Sequence, residues 1–150
     1  MQKAFNVGER LFFDVLIICL ISFVYFKTVP MNNITFFIGS IMCLIYFGIN
    51  FYMGYKNNLK ASEALIVGIM GCGVGLFLSF FAIYVQVVLN CPNTAVWILM
   101  PYFISTIPII DFFNKDLTIL YAFQIMLINI LLVISGSFIK NIVNRLINKS

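Results

Sequence analysis

The sequence predicts an all-α integral membrane protein: four transmembrane helices, with a proline-broken interfacial or re-entrant segment before the last one. Three observations carry that expectation. Hydrophobic residues make up 63% of the chain and charged residues 9%, whereas a soluble domain carries roughly a quarter charged residues. The apolar residues fall in long runs separated by short polar stretches, and most runs approach the length of about 20 residues that a spanning helix needs. The basic residues, finally, are distributed as an even number of crossings requires. At 150 residues and a mean hydropathy of +1.07, the chain reads as one polytopic membrane domain covering 1–150.

Residues 1–10 are a polar, interfacial start. The first span follows at about 11–29, with Asp14 one turn inside it and Pro30 and Asn32-Asn33 marking the turn after it. The second span is about 34–55, and Tyr52 and Tyr55 at its end suit an interface. Residues 55–63 form the most hydrophilic internal loop, in which Ser62 is placed to cap the next helix and Glu63 to sit in its first turn. The third span, 64–89, is long enough to cross with tilt at about 1.5 Å per residue, and Asn90-Cys91-Pro92-Asn93 stops it. Residues 96–110 are apolar but short, and contain Pro101 and Pro108. Each proline removes a backbone donor and clashes with the preceding turn, so this is the broken segment. The last span is about 117–139. The basic tail beyond it keeps apolar residues at helical spacing, which suits a helix continuing along the surface.

Charge decides between four and five crossings. With four, and the N-terminus inside, seven basic residues (Lys3, Arg10, Lys56, Lys60, Lys140, Arg145 and Lys149) face the cytoplasm, against Lys27 and Lys115 outside. A fifth crossing at 96–110 leaves five inside and four outside. The positive-inside rule favours four, with both chain ends cytoplasmic. The abundance of Ile, Phe, Asn and Lys points to an AT-rich, Gram-positive bacterial genome and so to a bacterial cell membrane.

Several functions are excluded by composition. Histidine is absent, which removes Ser-His and Cys-His nucleophiles and the commonest metal ligand. The four cysteines form no C-x-x-C pair, and three lie within apolar runs, where cysteine acts as a small hydrophobe. No metal site or cofactor is called for. The net charge of +4 is spread over loops and tails and forms no stripe for nucleic acid. The first apolar run follows basic residues but has no small-x-small cleavage site, so it is a retained span. Asp14 and Asp111 cannot act as a peptidase pair, because four crossings put them at opposite faces.

Two groups of residues remain as candidate sites. Gly68, Gly71, Gly75 and Ser79 form rows of small residues that let helices approach closely. They serve either packing inside the chain or a seam with another copy. Asp14, Gln86, Gln124 and Asn129 are polar groups within or near spans, and Asp14 can pair with Arg10 one turn earlier. They serve helix packing or a polar path. Ser135-Gly136-Ser137 is a further close-contact patch. The expected function is non-enzymatic: an accessory, regulatory or immunity-type subunit that acts by association in the bilayer, with a membrane-protein partner or a second copy. The alternative is a small oligomeric transporter or flippase-like protein using the polar residues as a path.

Overall fold

A computed structural model describes residues 1–30, 32–113 and 116–147. Among them every regular element is helical: α1 (Gln2–Thr28), α2 (Asn33–Asn57), α3 (Ala61–Gly71), α4 (Gly73–Val87), α5 (Pro92–Phe103), a 3-10 turn (Ile104–Thr106), α6 (Ile107–Phe112) and α7 (Ile119–Ile147). Four helical stretches are long and apolar enough to cross a bilayer: Gln2–Thr28, Asn33–Asn57, Pro92–Phe112 and Ile119–Ile147.

Local chemistry explains most of the boundaries. The polar start 1–10 is drawn into α1, which begins at Gln2. Asn32 caps α2 by accepting the Thr35 amide at 2.8 Å. Asn58, at φ 47°, ends α2 in the left-handed region that asparagine tolerates. Ser62 does not cap α3. The helix starts two residues earlier than that requires, and the Lys60 amide donates to the Glu63 carboxylate at 3.0 Å instead. The tail continues α7 without a break to Ile147.

The third apolar stretch departs from the expected single span. It divides at Cys72 into α3 and α4, with a bend of 57° between them. Cys72 has φ −88° and ψ 2°, and its amide is shared between the carbonyls of Gly68 and Ile69 at 3.1 and 3.2 Å. Glycine on both sides of Cys72 explains why the helix yields here: it has the weakest helix preference of any residue but proline. Pro92–Phe112, by contrast, is continuous enough to meet the length test, with Pro92 and Pro108 in the first turns of α5 and α6 and Pro101 inside α5, ahead of the 3-10 turn.

Contacts between helices give the topology. α2 and α7 form the most extensive helix pair. Tyr46 meets Asn129, and Gly54 meets Val133 and Ser137. Residues that touch keep a nearly constant separation in sequence, so the two helices run in the same direction. α1 runs opposite to α2 across the short turn. The chain between α2 and α7 therefore makes one net traverse of the bundle, and the start of α1 and the end of α7 lie at the same end. We call this the near end. Ser137 and Asn141 there donate to the Leu59 carbonyl. α3 rises from the near end to mid-bundle. Residues 102–108 then meet Cys19 on α1, Tyr121 on α7, and the far-end residues Phe26 and Gly39.

Candidate functional site

The glycine row is consumed inside the chain. A Cβ on Gly68 would lie 3.0 Å from the Ile130 Cα on α7, one on Gly71 2.7 Å from the Leu11 side chain on α1, and one on Gly75 2.5 Å from the Tyr102 ring on α5. Three glycines one turn apart thus admit three different helices. Ser79, the fourth member of the row, is fully buried, and its hydroxyl has no hydrogen-bond partner among the described residues.

The polar residues are not brought together. Gln86 and Gln124 are exposed on the outer surfaces of α4 and α7, and Asp14 is half-buried on α1. Asp14 makes no ion pair with Arg10 among the described residues. Only Asn129 enters the core. No hydrogen bond or ion pair links any two of these four groups among the described residues.

Asn129 belongs instead to a buried cluster whose other members carry no signal in the sequence. Its amide donates to the Tyr46 hydroxyl at 2.6 Å, linking α7 to α2. The Asn50 amide donates to the Tyr46 carbonyl at 2.9 Å. Tyr46 and Tyr102 meet edge to face at 6.4 Å, and the Tyr102 hydroxyl donates to the Gly71 carbonyl at 3.1 Å. That carbonyl lies in the last turn of α3, where a helix leaves its acceptors without intrahelical donors. Cys19 donates to the Tyr102 carbonyl at 3.1 Å, and Cys72 to the Met126 carbonyl at 3.6 Å. Five helices meet in this cluster.

Its chemistry is that of a lock. It holds hydroxyls, amides and thiols, with neither a carboxylate nor a histidine to move a proton. The amide oxygen of Asn50 has no partner among the described residues, while the Cys72 thiol lies against Asn129 and the Cys19 thiol against Ser105. No group of three or more metal-ligating side chains lies together among those residues either. Interhelical hydrogen bonds of this kind contribute about 0.6 kcal/mol each within a membrane, and they fix which helices meet. Nothing in the sequence separates Tyr46 and Tyr102 from the chain's other tyrosines; only the partner each meets identifies it as core.

A second contact absent from the candidate sites of the sequence is the pairing of Gly54 with Gly136. A Cβ on either would run into the backbone of the opposite helix, at Val133 for Gly54 and Phe51 for Gly136. The patch at 135–137 was legible as a close-contact site; its partner on α2 was not. No family model, curated protein or solved structure matches the chain.

Proposed function

We propose that this is a non-enzymatic integral membrane protein that acts by lateral association, as an accessory, regulatory or immunity-type subunit of a bacterial cell-membrane system. The observation that supports this reading is the outer face of α7. Leu120, Leu127, Leu131 and Phe138 are 69, 58, 54 and 64% exposed. Gln124 stands among them, exposed and without a hydrogen bond among the described residues. An amide left unpaired in hydrocarbon costs about 2 kcal/mol or more, and a polar group from a second protein removes that cost. The internal use of the glycine row supports the same reading, since it leaves the α7 face as the candidate seam. The excess of basic residues at the near end supports placing both chain ends in the cytoplasm.

Gentle detergent extraction followed by a native gel tests the reading. The wild-type protein should migrate well above its 17.1 kDa monomer. Gln124→Leu should bring it down to the monomer position without lowering its unfolding temperature. A wild-type monomer, or a complex that Gln124→Leu leaves intact, rules out association through this face.

A further inference from the structure

We propose that the cleft between the far end of α1 and the α5–α6 segment binds one acyl chain of an anionic phospholipid, with the Lys27 ammonium on the headgroup phosphate. The cavity has a volume of about 350 Å³, within the roughly 300–1,000 Å³ range of small-ligand clefts. Phe23, Phe26 and Lys27 form one wall, and Trp97, Pro101 and Ile104 contribute to the other. The lining is apolar except for one charge. That combination, a hydrocarbon slot with a single cation, complements an amphiphile with an apolar tail and a negative head.

The position of the charge adds to the argument. Lys27 occupies the last turn of α1, and its Nζ lies 5.5 Å over the Phe23 ring, which holds the ammonium against the cleft wall. It is the one basic side chain at the far end among the described residues. Asp111, on α6, is exposed and makes no ion pair with it among those residues. Lys27 therefore has a free coordination sphere for a phosphate. Trp97, 71% exposed at the lip, is an aromatic side chain suited to headgroup depth.

Trp97 is also the only tryptophan in the chain, so its fluorescence reports on this cleft. The protein is reconstituted in phosphatidylcholine vesicles containing a minor fraction of either chain-brominated phosphatidylglycerol or chain-brominated phosphatidylcholine. Bromine quenches tryptophan on contact. The anionic lipid should quench about fivefold more effectively per molecule, the factor one lysine near an anionic headgroup contributes. Lys27→Gln should abolish the preference and Lys27→Arg should retain it. Lys140→Gln, at the near end, should leave it unchanged. Equal quenching by the two lipids in the wild type overturns the proposal, and so does a preference that survives Lys27→Gln. A preference lost equally in Lys140→Gln means diffuse attraction to the protein's net charge and also overturns it. Absence of quenching by both lipids means the cleft is filled by protein, with the same result. None of the residues lining the cleft is on α7, so Gln124→Leu should not alter the preference, whichever way association turns out.

Discussion

Single residues in this protein matter mainly through the space they leave. Gly54 and Gly136 allow the backbones of α2 and α7 to touch, and no rotamer adjustment makes room for a methyl group against a backbone carbonyl. Gly136→Ala should therefore lower stability by about 1–3 kcal/mol, the range for overpacking a tight contact. Gly48, on the exposed side of the same α2, has nothing within 4 Å of an added Cβ. Gly48→Ala should be neutral or raise stability by about 0.5–1 kcal/mol, because alanine is the better helix former. Unfolding of the two variants in the same detergent compares them directly, and equal effects would remove the backbone-contact argument. The sequence marks Gly136, between two serines, as a close-contact site, but nothing in it distinguishes Gly48 from Gly54 as the glycine that meets it. What separates Gly48 from Gly54 is the helix opposite, which a one-dimensional pattern does not contain.

At the scale of the element, the division of the third apolar stretch is the main departure from expectation. Residues 64–89 carry no proline and no charge, so hydropathy reads them as one span. The bend at Cys72 arises because Gly71 and Gly73 weaken the helix locally and because α5 supplies a replacement donor, the Tyr102 hydroxyl, for the Gly71 carbonyl. Gly75 leaves room for the ring that carries it. Tyr102→Phe should lower stability by about 1 kcal/mol, a typical value for one lost hydrogen bond. It should also move α4 relative to α3, read as a changed distance between spin labels at exposed positions 65 and 81. An unchanged distance would mean that the glycines alone set the bend. In the opposite direction, the prolines of 92–112 looked disruptive, yet the segment stays helical. Pro92 and Pro108 fall at the starts of α5 and α6, where proline is pre-organised for a helix and its missing N–H is not needed.

For the whole molecule, the decisive feature is the parallel run of α2 and α7. It requires an odd number of net traverses between them, and it places the start of α1 and the end of α7 together. Cys19, Cys43 and Cys72 are buried and Cys91 is exposed, so an impermeant maleimide reads the topology with one native residue. Under the proposed orientation it should label Cys91 on intact cells, and should label a cysteine placed at Lys140 only after the membrane is opened. Labelling of both from one side would contradict the parity of the bundle. Labelling of Cys91 only after permeabilisation would reverse the orientation while leaving the fold as it is.

The sequence by itself determined the all-helical class built on long apolar helices, the positions of three of those helices, and the placing of the start of α1 and the end of α7 at one end. These depend on composition, run length and charge, which act residue by residue and need no partner. It also marked the small-residue rows as sites of close contact. Tertiary structure alone decided which helix each glycine admits, where the third stretch bends, and that Tyr46, Asn50, Tyr102 and Asn129 form one buried lock while Gln86 and Gln124 face outward. The physical reason is the solvent. In water an apolar stripe separates the inside of a helix from its outside. In an apolar chain of this kind both faces are hydrophobic, so periodicity is nearly silent about orientation. Packing, backbone contact and hydrogen bonding between helices then choose the inner face, and each of those needs the neighbouring helix to be present.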